Sequence, residues 1–145
     1  MEISCFLPTF ARECKRWYRM LKTLVYIGVG SCFGGVARYL LSQLIREKVG
    51  AAFPWGTFVV NVLGCFIIGV IYGMIDRGYP MSNETRAFLT VGFCGGFTTF
   101  STFVYETHQL LSTSGLLLMA VYAGISFAAG LICAYMGQML VRNVL

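Results

Sequence analysis

Between residues 92 and 103 the chain reads Gly-Phe-Cys-Gly-Gly-Phe-Thr-Thr-Phe-Ser-Thr-Phe, a glycine pair followed by hydroxyls and phenyl rings inside a stretch of membrane-crossing length. Hydrocarbon holds no water for exposed backbone. A break at Gly95-Gly96 is therefore tolerated only where protein or a wet cavity covers the freed carbonyls. Breaks of this kind mark ion sites. The hydroxyls of Thr98, Thr99, Ser101 and Thr102 add to the signal, because hydroxyls beside phenyls in a membrane core need partners.

Two further polar residues lie inside apolar runs. Arg38, in Gly34-Gly35-Val36-Ala37-Arg38-Tyr39, is too deep in the first run to be a loop residue. It either snorkels or satisfies carbonyls of a neighbouring helix, or it supplies a positive potential that draws anions into a vestibule. Asn61, in Gly56-Thr57-Phe58-Val59-Val60-Asn61-Val62-Leu63-Gly64, either bonds another helix or gives its amide hydrogens to an anion.

Enzymatic chemistry has nothing to build on. His108 is the only histidine and has no triad or ligand set in the sequence around it. The cysteines at 5, 14, 32, 65, 94 and 133 include no C-x-x-C pair, and those at 32, 65, 94 and 133 fall in apolar runs, where a thiol acts as a small hydrophobe.

The elements that must position these groups are membrane helices. Hydrophobic residues make up 57% of the chain, charged residues 12%, and the mean hydropathy is +0.73. A soluble domain would be far more charged. Crossing a hydrocarbon core of about 30 Å takes about 20 apolar residues, and such stretches lie near 23–45, 56–75, 86–111 and 115–141. The short connections leave no room for a soluble domain or a nucleotide site, and no nucleic-acid partner is expected. Gly30 and Gly34 are one turn apart, as are Gly69 and Gly73, and small residues four apart let helices approach closely. Four short helices enclose little volume, so a polar pathway shielded from lipid implies a homo-oligomer, most simply a dimer.

Charge bears on orientation. Arg12, Lys15, Arg16, Arg19, Lys22, Arg77, Arg86 and Arg142 share one side of the predicted topology, and Arg46 and Lys48 lie on the other. The positive-inside rule then puts both termini in the cytoplasm. The organisation expected is a basic extension at 1–21 and a four-helix transmembrane channel domain at 22–145. Met20-Leu21-Lys22-Thr23-Leu24 also reads as a natural start. A chain beginning there keeps four basic residues against two, a bias weak enough to permit both orientations.

With these residues in place the chain resembles the CrcB/Fluc fluoride channels. The resemblance is carried by Gly92 to Phe103 with Glu106 beyond, by Pro54-x-Gly56-Thr57-x-x-x-Asn61-x-x-Gly64, and by Gly34-x-x-x-Arg38-Tyr39, three ordered motifs within residues 22–142. It implies an all-α membrane protein of four transmembrane helices, the third broken near Gly95-Gly96, in an antiparallel, dual-topology homodimer with two fluoride pathways. It also implies a structural sodium ion at the dimer interface, held by the backbone carbonyls of Gly95 and Thr98. Phe100 and Phe103 would be the family's phenyl pair, offering positive ring edges to the anion. Asn61, Ser101 and Thr102 would donate hydrogens along the route, and Arg38 and Glu106 would stand in the vestibule, Glu106 at the rim.

The function implied is passive export of cytoplasmic fluoride through a multi-pass protein of the cell inner (plasma) membrane, giving fluoride resistance. The partners are fluoride, sodium, the lipid bilayer and a second copy. The fourth span departs from the family pattern at Gly130-Leu131, with Ser126 or Tyr135 as alternative hydroxyls, and Val104 stands where many members carry Ser. Two other readings are a small dual-topology multidrug exporter and a structural membrane protein. The first needs a central acidic residue in span one, where this chain has Arg38.

Overall fold

The computed structural model describes residues 3–49 and 53–144, with side chains from residue 12 onward. Of the expected extension, residues 1–2 lie outside the described residues. The elements are α1 (Ile3–Val49), α2 (Trp55–Asp76), α3 (Asn83–Ala87), a π-helical segment (Phe88–Cys94), α4 (Gly95–Phe97), α5 (Phe100–Thr113) and α6 (Leu116–Val144). Among the described residues there is no strand. Four helical runs are long and apolar enough to cross a membrane: Arg12–Val49, Trp55–Asp76, Asn83–Thr113 and Leu116–Val144. These are the four spans expected from hydropathy; the first continues without a break into the basic segment before it, and the others end within three residues of the expected bounds.

Local chemistry fixes the ends. Gly78 (φ 76°) turns the chain after α2, and Gly115 (φ 88°) turns it between α5 and α6, conformations an L side chain rarely adopts. Ser82 caps α3, its Oγ accepting from the Thr85 amide at 3.1 Å. The Asn83-Glu84-Thr85 segment is thus the first turn of the third span.

Small residues decide which helices touch. The first span lies against the N-terminal half of the third, and the second lies along the fourth. A Cβ on Gly96 would sit 2.6 Å from the Ser31 carbonyl, and one on Gly30 would sit 2.5 Å from that of Phe88. Gly69 and Gly137 make the same close approach between α2 and α6, each against backbone of the other helix. Such contact lets dispersion act between backbones, the main attraction left when lipid is as apolar as the helices. The outward surface is correspondingly apolar, with Phe33, Leu40, Leu117 and Phe127 exposed.

The third span is interrupted two residues beyond the glycine pair. Gly95 and Gly96 remain helical, and the extended residues are Thr98 (φ −87°, ψ 159°) and Thr99 (φ −146°, ψ 116°). The segment before the break, Phe88–Cys94, is wound as a π-helix, a form concentrated at functional sites.

Candidate functional site

The break is held open by one side chain from α2. Asn61 Nδ2 donates to the Thr99 carbonyl at 3.1 Å, and the Thr99 amide donates to Asn61 Oδ1 at 2.8 Å. In an unbroken helix the Thr99 amide would close onto the carbonyl four residues back, that of Gly95. A second diversion follows. The Thr102 amide, the helical partner of the Thr98 carbonyl, goes instead to Thr99 Oγ1 at 3.3 Å, so Thr99 caps α5. The carbonyls of Gly95 and Thr98 thereby lose their helical donors. Both are hard oxygen ligands of the kind that suits an alkali or alkaline-earth cation. Among the described residues no group of three or more His, Cys, Asp or Glu assembles, so a cation here would rest on main-chain oxygen.

One cavity of about 380 Å³ joins the two halves of the site. Asn61, Gly64, Gly95, Thr98, Phe100 and Phe103 all line it. Gly64 is there for room: a Cβ on it would run into the Thr98 methyl group. The Phe100 and Phe103 rings are 6.1 Å apart, tilted at 37°, on successive turns of α5. Phe103 is half-buried and packs on Tyr122 at 5.1 Å, whereas Phe100 is 78% exposed. An amide nitrogen has two hydrogens, and Asn61 commits one to Thr99. The other remains for the cavity.

One turn beyond Phe103 lies a carboxylate with no cation beside it among the described residues. Glu106 accepts from the Thr57 hydroxyl at Oε1 and from the Tyr122 hydroxyl at Oε2, both at 2.8 Å. Thr57 and Tyr122 are buried, Tyr122 at 0% exposure. Glu106 is thus half-buried and held between three helices, where the sequence suggested a residue at the rim. Thr57, Asn61 and Gly64 recur at helical spacing on one face of α2, so a single face carries the clamp on Glu106, the clamp on Thr99 and the gap for Thr98.

The remaining expected residues do not line this cavity. Ser101 is exposed, and the Thr102 hydroxyl accepts from Thr99 Oγ1 at 2.9 Å, which leaves its own hydrogen uncommitted. Neither lines the cavity. Arg38 is half-buried and makes no hydrogen bond or ion pair among the described residues. On the fourth span the hydroxyl that reaches the site is Tyr122. Ser126, one turn on, has a buried Oγ with no partner among the described residues, and Tyr135 is exposed in a separate crevice. Sequence reasoning missed Tyr122 and gave no role to Thr57 or Thr99. The available signal was the Thr57–Asn61 spacing on one face of α2.

Comparison with known proteins assigns the chain to a family. Residues 25–138 match the model of the family described as CrcB-like protein, Camphor Resistance (CrcB). The chain belongs to the CrcB-like family. It is similar to the fluoride-specific ion channel FluC of Leptospira interrogans, 40% identical over 122 residues, covering 84% of this chain and 96% of that protein. It is also similar to FluC of Nitrosococcus oceani, at 41% over 118 residues (81% and 94%), and of Chlorobaculum tepidum, at 42% over 123 residues (85% and 97%). As a CrcB-like protein with four membrane-length helices, it is a multi-pass membrane protein and not an enzyme.

Proposed function

We propose that this chain is a fluoride channel that lets cytoplasmic fluoride leave the cell passively and so confers fluoride resistance. The observation that carries the reading is the joint cavity, which Asn61, Phe100 and Phe103 line together. Fluoride is small and tightly hydrated. A selective path must replace its water with close neutral donors, because a fixed charge in the middle would trap it. Asn61 and the phenyl pair supply such donors in the cavity, and Ser101 and Thr102 would extend the route beyond it.

The site divides into a conducting part and a structural part. Phe100 and Phe103 form the wall, Glu106 holds Thr57 and Tyr122 in register beside it, and Arg38 contributes positive potential at the vestibule. The freed carbonyls of Gly95 and Thr98 suit a sodium ion shared with a second, antiparallel copy, which would supply the matching pair across a two-fold axis. Sodium there offers charge to hold the two copies together. The location of Gly95 supports this: it is exposed, and a Cβ on it would find nothing nearer than the Thr90 carbonyl at 4.0 Å. Its own protomer gives no steric reason for glycine.

In an inner (plasma) membrane the inside-negative potential assists anion exit by about 2.3 kcal/mol per charge per 100 mV. No coupled carrier is needed, and an exporter of the small multidrug kind would require an acidic residue that span one lacks at 23–45. The test is efflux from liposomes carrying the purified protein, followed with a fluoride electrode. Fluoride should leave and chloride should stay; equal passage of both, or of neither, ends the channel reading. Replacing sodium with a large organic cation should dissociate the dimer and abolish efflux together.

A further inference from the structure

A second crevice, of about 370 Å³, opens where the C-terminal ends of α2 and α6 part. It shares no lining residue with the ion cavity. Asp76 is the last residue of the second span and Arg142 stands in the last turn of the fourth, so the crevice lies where hydrocarbon gives way to head groups. Its polar groups are already oriented. Gln138 Nε2 donates to Asp76 Oδ2 at 2.8 Å, and among the described residues no donor reaches the other carboxylate oxygen. Arg77 donates to the main-chain carbonyl of Arg142, which pins its guanidinium across the crevice with further N–H groups to spare. The Arg142 side chain is exposed and has no hydrogen bond or ion pair among the described residues. Two guanidinium groups against one carboxylate leave the crevice with a net positive charge. Gly73 and Met139 add an apolar part to its lining, and Met136 and Leu140, one turn from Met139 and next to it on the same apolar helix, are exposed.

We propose that this crevice binds the head group of a phospholipid that carries a hydrogen-bond donor next to its phosphate. The phosphate sits on Arg77 and Arg142, and the donor, a glycerol hydroxyl or an ammonium, sits on the other carboxylate oxygen of Asp76. Guanidinium groups match phosphate oxygens in a planar fork, and basic pockets between membrane helices are established head-group sites. The acidic residue explains the need for a donor, since Asp76 would repel a bare anion but accepts from a hydroxyl or ammonium. The apolar part of the lining and the exposed Met136 and Leu140 favour a lipid over a free phosphate, because an acyl chain covers them.

The experiment is native mass spectrometry of the full purified chain in neutral detergent with equal amounts of phosphatidylglycerol, phosphatidylethanolamine and phosphatidylcholine. Adducts of the first two should persist, and choline, which has no donor, should be lost. Arg142→Gln should cut retention of phosphatidylglycerol about tenfold, the loss of one charge-assisted bond. That variant keeps the main-chain carbonyl that Arg77 uses, and an unchanged melting temperature in lipid-free detergent would certify its fold. Asp76→Asn should erase the preference over phosphatidylcholine. Equal retention by Arg142→Gln, or choline lipid held as well as the others, overturns the proposal. Displacement of the lipid by equimolar inorganic phosphate overturns it too, by assigning the crevice to a free anion. None of these readouts involves ion flux, so the site stands or falls apart from the channel reading.

Discussion

Asn61 and Thr99 exchange two hydrogen bonds, side-chain amide to carbonyl at 3.1 Å and main-chain amide to side-chain oxygen at 2.8 Å. The exchange makes Asn61 a stand-in for the missing helical turn and leaves the Gly95 carbonyl without its donor. Asn61→Ala should remove both bonds and strand the Thr99 carbonyl, a loss of about 1–3 kcal/mol in a part-buried setting. Thermal melting should fall and fluoride efflux should drop to the background of empty liposomes. Wild-type efflux from Asn61→Ala would show that neither the clamp nor its second amide hydrogen serves conduction.

Phe100 and Phe103 differ in what else they touch. Phe103 packs on Tyr122, whereas Phe100 is mostly exposed in the protomer. Phe100→Ile should therefore abolish efflux while leaving the melting temperature of the protomer nearly unchanged. Phe103→Ile should lower both, since it also removes an aromatic contact of about 0.5–1.5 kcal/mol. Efflux assays and melting curves on the two proteins separate a conducting role from a packing one.

Glu106 accepts from two hydroxyls, those of Thr57 and Tyr122. Tyr122→Phe keeps the ring contact with Phe103 and deletes one donor, leaving a carboxylate oxygen bare at a cost of about 1–3 kcal/mol. Thr57→Val does the same to the other oxygen. Each should destabilise, and the double variant should lose less than the sum if the released carboxylate turns away after the first. A double-mutant cycle on melting free energies reads this directly.

The spans were legible because hydrocarbon length and apolar composition are properties of contiguous sequence, and Gly30, Gly34 and Gly69 could be read as contact points for the same reason. Which helix each glycine meets was not. The position of the break was displaced by two residues because glycine is the local sign of a weak helix, while the helix ends where Asn61, 38 residues away in sequence, captures an amide. The π-helical winding of Phe88–Cys94 has no pattern of its own in a single sequence. Tyr122 reaches Glu106 only because the chain reverses at Gly115, so its role exists in three dimensions alone. The phenyl pair and Asn61 were legible as residues through the family motif. Their sharing of one route was expected through the same motif, whereas the double hydrogen bond of Asn61 to Thr99 was not.

Gly95 and Gly96 are neighbours with opposite surroundings, and this offers the sharpest test of a second copy. A methyl group at Gly96 would sit 2.6 Å from the Ser31 carbonyl and force α1 and α4 apart, while one at Gly95 would meet no atom of its own protomer closer than 4.0 Å. Gly96→Ala should therefore lower the stability of the folded protomer by about 1–3 kcal/mol, the usual cost of overpacking. Gly95→Ala should leave secondary structure and protomer melting intact and disturb only what approaches from outside, so cross-linking should show weakened dimers and efflux should fall. A Gly95→Ala protein that stays dimeric and conducts at the parental rate would rule out a dimer axis, and with it a shared cation, at this residue.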